Sequence, residues 1–182
     1  MTYLVTSLQL SAEAGIAEFF RRSAGQWRSE RRYFTLRNDH IEEVESLITV
    51  CFLEQGHPDL VELAQMHRLE DDTALVCGAY TSWESNYRGK NRKQQSGSTV
   101  FGAYNGILYR DRGFATAAPV LAKFSLPEAQ TLRLRTEYDG SVFEEEIKLI
   151  GSNYRTRQTI ISRAGDEQMI GQYLEKRIQA AF

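Results

Sequence analysis

Alternation of apolar and polar residues with a period of two recurs along this chain, and it constrains the fold strongly. The pattern is clear over residues 120–126 and 132–135, and a longer run extends over 43–52. Because successive side chains of a strand point to opposite faces, these segments predict β-strands with one apolar face. Turn-forming sequences separate them: Arg37-Asn38-Asp39, Tyr104-Asn105-Gly106, Tyr138-Asp139-Gly140, Gly151-Ser152-Asn153 and Ala164-Gly165-Asp166. The short spacing favours antiparallel hairpins.

A succession of such strands favours a meander that closes on itself, because closure removes exposed sheet edges. The length of 182 residues and the hydrophobic content of 42% fit a single domain, 1–182, with a substantial core. About eight to ten strands fit this length, and a barrel of that size can hold one small ligand. We therefore expect an all-β protein with a minor α component, built as an up-and-down antiparallel β-barrel. A two-sheet sandwich is the alternative.

An N-terminal helix is predicted before the first strand. Ser11 can cap its start, and Gly25 follows its end. Its apolar stripe consists of Ile16, Phe19 and Phe20, which must cover an apolar surface.

A second, short helix is predicted from Leu60 to about Arg68. Asp59 and Glu62 have the spacing of a capping box at its start. Leu60, Leu63 and Ala64 lie on one side of it and form its apolar face.

The charge of the chain argues against several classes of function. A formal net charge of −2 does not provide the basic surface that phosphate neutralisation needs. Arg88, Lys90, Arg92 and Lys93 form a basic stretch without apolar periodicity, so we interpret it as a solvated loop rather than a phosphate site.

No apolar run approaches the length of a membrane span, and the N-terminus lacks the layout of a secretory signal. We expect a soluble, cytoplasmic protein.

The histidines and cysteines indicate neither a metal site nor a nucleophile. His40, His57 and His67 are scattered, without the spacing of metal ligands, and no GxSxG turn supports a serine nucleophile. Cys51 and Cys77 lie among apolar neighbours without a CxxC spacing. We expect both to be buried free thiols.

A carboxylate in an apolar alternation marks a candidate site. Phe143, Glu145, Ile147 and Leu149 share one face of a predicted strand, so we expect Glu145 to point inward. A buried carboxylate is costly unless a cation or a hydrogen-bond donor compensates it. The sequence therefore predicts a polar site inside an apolar shell.

Candidate partners follow on the next strand. Arg155, Arg157 and Thr159 share a face there, and two guanidinium groups at this spacing suit carboxylates, which they bind through paired hydrogen bonds. We expect Arg155 to work with the inward carboxylate. The alternative is a surface pairing of these arginines with Glu144 or Glu146.

Two tryptophans are candidates for the wall and floor of a ligand cavity. Trp27 and Arg31 share a face of the first strand, so Arg31 points inward if Trp27 closes the barrel floor. Trp83 shares a face with Ala79 and Thr81 and can offer a flat wall to a planar ligand. In the alternative interpretation both tryptophans are core residues, and the charged end of Arg31 reaches solvent.

Near the C-terminus, Ile170, Leu174 and Ile178 form an apolar set. Alternation places Glu175 on the opposite side of that strand.

A series of short motifs extends over nearly the whole chain: Phe19–Arg31 (FFRRSAGQWRSER), His57-Pro58-Asp59, Cys77-Gly78-Ala79 leading to Trp83, Gly97-Ser98-Thr99-Val100, Gly113-Phe114-Ala115 with Ala118-Pro119-Val120, Thr136-Glu137-Tyr138 and Asn153-Tyr154-Arg155-Thr156-Arg157. In order and spacing this series resembles the S-type phycobiliprotein lyases, the CpcS/CpeS family of cyanobacteria and related algae.

The resemblance implies a lipocalin-like barrel that binds a linear tetrapyrrole and passes it to a cysteine of a phycobiliprotein subunit through a thioether bond. The bilin, phycocyanobilin or a related pigment, is then a substrate and not a prosthetic group. The resemblance also implies catalytic roles for Glu145 and Arg155 and ligand-binding roles for Arg31, Trp83 and Glu175. Arg157 and Thr159, on the same face as Arg155, complete the predicted ligand-binding set.

The expected partners are phycobiliprotein subunits of the phycocyanin or allophycocyanin type, and a homodimer is compatible with the sequence. Two other functions stay open at this stage. One is a carrier of a bilin or fatty acid without transfer activity, and the other is a structural adaptor with a filled core.

Overall fold

In the computed structural model, which describes residues 2–88 and 94–180, the chain forms a closed antiparallel barrel. Its strands are β1 (Gly25–Thr35), β2 (His40–Glu54), β3 (Cys77–Tyr87), β4 (Gln94–Tyr104), β5 (Ile107–Arg110), β6 (Val120–Glu128), β7 (Thr131–Tyr138), β8 (Ser141–Ile150), β9 (Tyr154–Arg163) and β10 (Asp166–Ala180). Each strand pairs with its neighbours in sequence, and β1 also pairs with β10, so ten strands close the ring. The predicted barrel is confirmed, and the sandwich alternative is wrong.

The predicted tight turns join the strands. Asn105 and Asp139 have φ angles of 51° and 50°, and each is followed by a glycine in the left-handed region, Gly106 at 73° and Gly140 at 72°. Two successive residues with positive φ give a turn whose twist matches that of the flanking strands, and Asn-Gly and Asp-Gly are preferred there. Local turn chemistry therefore sets the hairpins β4–β5 and β7–β8.

Helix α1 (Thr2–Ser23) packs on the interior apolar cluster. Ile16, Phe19 and Phe20 of the predicted stripe are buried in that cluster. The predicted start at Ser11 is wrong, because the helix begins at Thr2 and Ser11 lies within it. No glycine or proline stands between the two to end a helix, so the capping tendency of serine does not set the boundary.

Helix α2 (Pro58–Met66) belongs to a second apolar cluster, separate from the interior one, and its apolar face is buried as predicted. The cluster consists of Leu53, Leu60, Leu63, Ala64 and Leu75. The predicted capping box is wrong: His57 caps the helix, and its Nδ1 accepts a hydrogen bond of 3.2 Å from the backbone N–H of Asp59. Pro58 favours this start because its fixed φ suits the first helical position.

The expectation that Cys51 is buried is wrong. Cys51 is exposed, since it alternates with the buried Val50. Cys77 is buried as expected, and burial raises the pKa of its thiol to about 12. At the C-terminus, Leu174 and Ile178 are 52% and 53% exposed, whereas Glu175 between them is fully buried. The apolar set of β10 therefore faces outward, and its polar residues face the interior.

Three other sequence predictions concern the basic stretch, a membrane span and a metal site. The Arg88 Nη2 lies 3.1 Å from Glu45 Oε2, while Lys90, Arg92 and Lys93 lie outside the described residues. In the described ranges, no helix is long and apolar enough to cross a membrane. The same ranges contain no cluster of three or more His, Cys, Asp or Glu side chains that could hold a metal ion.

Candidate functional site

A cavity of about 480 Å³ lies inside the barrel, between the inner faces of the strands and the end of α1. Its apolar wall includes Phe19, Phe20, Ile48, Val50, Phe101 and Leu134. The charged side chains among its described lining residues are five arginines and one carboxylate: Arg31, Arg110, Arg112, Arg155, Arg157 and Glu145. A low-dielectric cavity with this excess of positive charge favours an anionic ligand.

Glu145 points inward from β8, as its alternation with Phe143 and Ile147 predicted. Its charge partner is Arg110 of β5, with Arg110 Nη1 at 3.6 Å from Glu145 Oε2. β6 and β7 separate these two strands, so the side chains meet across the interior.

Sequence reasoning did not find Arg110. The side chain is buried between the rings of Phe101 and Phe114, whose centroids lie 4.7 and 5.6 Å from its guanidinium carbon. Burial lowers the pKa of Arg110, and the Glu145 carboxylate opposes that shift. The available signal was the alternation of Leu108 with Arg110, which puts both on the inner face of a very short strand.

Arg155 pairs with Glu175 and not with Glu145, and its expected catalytic role stays a prediction. It is buried on β9, and its Nε donates a hydrogen bond to Glu175, its neighbour in register on β10. Glu175 also accepts a hydrogen bond of 3.1 Å from Ser29 Oγ. Burial alone would raise the pKa of Glu175, but Arg155 and Arg157 outweigh it and hold that pKa below its ordinary value.

Trp27 lies fully buried below this pair. Its ring stands between two guanidinium groups, with Arg155 at 4.6 Å and Arg177 at 4.1 Å from the ring. Its Nε1 donates to the carbonyl of Ser23 at 2.9 Å, while Arg177 donates to the carbonyls of Ala24 and Arg22. The end of α1, Trp27 and Arg155 are therefore packed as one unit, but Trp27 does not line the cavity whose floor it was predicted to form.

Arg31 of β1 and Arg157 of β9 approach one aromatic ring of β10, the strand that lies between them. Their guanidinium carbons lie 5.3 and 5.4 Å from the centroid of Tyr173. Tyr173 donates a hydrogen bond of 3.3 Å to the hydroxyl of Tyr33, which also lines the cavity. Burial alone would lower the pKa of Arg157, but the negative charges of Glu175 and Glu145 outweigh this effect and raise it. Arg157 therefore stays cationic beside the cavity.

Trp83 lines the cavity and is half-buried, with the small residues Ala79 and Thr81 on the same inner face of β3. Gly97 lies opposite it on β4, and a Cβ added there would stand 2.6 Å from a Trp83 ring atom. The missing side chain at Gly97 thus makes room for the indole.

Two predicted ligand-binding residues do not line the cavity. Thr159 is buried, in register with Glu145, and Glu175 lies behind Arg155. The alternative surface pairing is also excluded, because Glu144 contacts Arg135 at 2.8 Å and Glu146 contacts Arg133 at 2.7 Å outside the barrel.

The connection between β5 and β6 lies along the cavity, where residues 112–117 line it. Phe114 stacks on Phe143 with ring centroids 5.3 Å apart and an interplanar angle of 2°. The backbone N–H of Ala115 donates to the Tyr138 hydroxyl at 2.9 Å. Aromatic contacts with β7 and β8 therefore hold this loop in place.

Comparison with known families relates this arrangement to the CpeS-like proteins. The model of the family described as CpeS-like protein matches residues 15–178. The chain belongs to the CpeS-like family. Two CpeS-like relatives are a CpcS 2 protein of Nostoc sp., 59% identical over 91% of this chain and 92% of its own length, and the chromophore lyase CpcS/CpeS of Thermosynechococcus vestitus, 34% identical over 85% and 87%.

Among solved structures, the S-type phycobiliprotein lyase CpeS of Guillardia theta superposes on this CpeS-like chain with a TM-score of 0.73. The two are 24% identical, and the match covers 92% of this chain and 93% of the other. The lipocalin-like fold that the sequence resemblance implied is confirmed.

Proposed function

We propose that this chain is a bilin lyase: it binds a linear tetrapyrrole, phycocyanobilin in the first instance, and promotes its attachment to a cysteine of a phycobiliprotein subunit. The observation that carries the proposal is the inward carboxylate of Glu145 in an arginine-lined cavity. The cavity volume of about 480 Å³ lies in the range of sites that enclose a drug-sized ligand.

The chemistry of the ligand matches the wall of the cavity. A bilin carries two propionates, and the lining arginines Arg31, Arg155 and Arg157 are suited to bind them. Its conjugated rings can pack against the indole of Trp83. Thr159 and Glu175, which lie behind the wall, support this set by packing and by holding Arg155.

Glu145 is the proposed catalytic carboxylate. It can accept hydrogen bonds from the pyrrole N–H groups and stabilise the cationic, protonated bilin, which makes the exocyclic ethylidene carbon more electrophilic. A thiolate of the acceptor then forms the C–S bond at that carbon, the C=C bond is consumed, and a proton ends on the tetrapyrrole. No atoms are lost, so the step is a thiol addition.

The sulfur belongs to the acceptor. The thiolate is the attacking form, and the raised pKa of about 12 keeps Cys77 protonated at neutral pH. The lyase then contributes binding, orientation and exclusion of wrong additions. Acceptors of the phycocyanin or allophycocyanin type, action as a single domain, a cytoplasmic location and assembly into a homodimer belong to this proposal.

The decisive experiment mixes the protein with phycocyanobilin and a panel of apo-subunits, each with one acceptor cysteine. We expect an acid-stable, covalent chromoprotein with at least one subunit, formed faster than without the protein. Pigment binding with attachment at the spontaneous rate would identify a carrier instead. Absence of any absorbance change on mixing with bilin would indicate an adaptor.

A further inference from the structure

Arg110 forms a site in its own right within the cavity. It lies on β5, whose register places it opposite Phe101 on β4 and Val120 on β6. The rings of Phe101 and Phe114 contact its guanidinium group, and its backbone carbonyl lies 2.9 Å from the Nε2 of His67. The strand pairing and these contacts fix the position of the charged group.

The hydrogen-bonding capacity of this guanidinium is largely unused. Within the described part of the chain, its Nε and Nη1 atoms are buried without a hydrogen-bond partner. The contact with Glu145 is 3.6 Å, whereas charge-assisted hydrogen bonds of this kind measure about 2.7–2.9 Å. Buried polar groups are normally paired, so the geometry indicates an acceptor that arrives with a ligand.

Arg110 is separate from the pair of cavity arginines around Tyr173. Arg31 and Arg157 gather around Tyr173, whereas Arg110 lies between Phe101 and Phe114. The charge of Glu145 acts on both places, since it opposes the lowered pKa of Arg110 and helps to raise that of Arg157. A ligand with two carboxylates has one for each of these places.

We propose that Arg110 is a second carboxylate-binding subsite, which exchanges its contact with Glu145 for one propionate of the bilin and thereby leaves Glu145 free for the pyrrole N–H groups. This inference rests on the proposed function. In this exchange, a propionate of the substrate displaces Glu145 from Arg110.

The test compares phycocyanobilin with its dimethyl ester, which lacks both charges but keeps the ring system. We expect the parent protein to bind the diacid more tightly than the diester. Arg110→Gln should weaken diacid binding by about tenfold, the low end of what hydrogen bonds to charged groups contribute, and change diester binding little. Arg133→Gln, on the outer wall, is the control and should preserve the preference of the parent.

A second readout is the absorbance of the bound pigment, because a cationic bilin absorbs at longer wavelength. In the parent protein the diacid should show the red-shifted band and the diester a weaker shift, since the diester leaves Glu145 paired with Arg110. In Arg110→Gln both pigments should show the shifted band.

Arg110→Gln leaves Glu145 without its partner and can impair folding, so Arg110→Gln/Glu145→Gln is measured beside it. The double variant removes both charges and should show the same reduction of about tenfold in the preference for the diacid, because Arg31 and Arg157 still bind the other propionate. A preference for the diacid that is as large in the folded variants as in the parent protein overturns the inference alone. An equal loss for both ligands would also overturn it, because Arg110 would then be structural. If the parent protein binds neither pigment, the proposed function fails, and the inference fails with it.

Discussion

Arg155 and Glu175 form a buried ion pair between β9 and β10, and the carboxylate of that pair is fully enclosed. The pair lies on the buried ring of Trp27 and beside the cavity, with the Nη2 of Arg155 free of hydrogen bonds to the described residues. Glu175 thus fixes where Arg155 presents its remaining N–H groups.

Removing the carboxylate should destabilise the protein. Glu175→Gln leaves the buried charge of Arg155 uncompensated, and breaking a buried pair in this way costs about 3–5 kcal/mol in the free energy of unfolding. Urea unfolding followed by circular dichroism measures it. Glu146→Gln is the matched control, because its exposed pair with Arg133 should be worth less than about 1 kcal/mol. If Glu175→Gln lowers the free energy of unfolding no more than the control does, the pair does not stabilise the fold.

The same pair should make the free energy of unfolding depend on pH in the acidic range. The pKa of Glu175 in the folded protein lies below its ordinary value of 4.5. Its stabilising effect is therefore complete above about pH 4.5 and is lost as the pH falls through the lowered folded value. The difference in unfolding free energy between the parent protein and Glu175→Gln should shrink over that range. A constant difference down to low pH would contradict the ionised pair.

Gly97→Ala should disturb ligand binding through Trp83. The new Cβ would stand 2.6 Å from a ring atom, so the indole must move. We expect bilin affinity to fall by up to about tenfold, because aromatic packing contributes about 0.5–1.5 kcal/mol beyond surface burial. Absorbance titration measures the affinity, with Ser96→Ala on the same strand as the control. In a Trp83→Leu background the glycine substitution should have no further effect, and an additive loss would place its action elsewhere.

The two cysteines should differ in reactivity, and neither should receive the pigment. Iodoacetamide at pH 8 should label the exposed Cys51 and leave Cys77 intact, because the pKa of Cys77 is about 12. Mass spectrometry of tryptic peptides reports both sites. After a transfer reaction, a bilin on either peptide of the lyase would contradict direct addition of the acceptor thiol.

The fold and part of the site could be predicted from local patterns. Alternation placed Glu145 inside, and Asn-Gly and Asp-Gly signals placed two of the hairpins. Alternation shows only which residues share a face, however. The face that points inward must then be assigned from its hydrophobicity. On β10 that second step fails, because Tyr173 and Glu175 face a polar interior while Leu174 and Ile178 face outward.

The pairing of charges could not be predicted. Arg110 lies on a strand of four residues, too short for a convincing period, and it meets Glu145 across the barrel, past β6 and β7. The partner of Arg155 is set by the register of β9 with β10, which the sequence alone does not specify. Contacts of this kind depend on closure of the barrel.

The most direct test of the proposed mechanism is the single-turnover transfer rate of two neighbouring variants, Glu145→Gln and Glu144→Gln. Glu145 lines the cavity, whereas Glu144 pairs with Arg135 outside the barrel. The two variants therefore make the same replacement of a carboxylate by an amide on opposite faces of β8. We expect Glu145→Gln to bind phycocyanobilin and to transfer it about 100-fold more slowly, as for loss of one group that stabilises charge in the transition state, with Glu144→Gln at the parent rate. A folded Glu145→Gln variant that transfers at the parent rate would contradict the central role of the inward carboxylate.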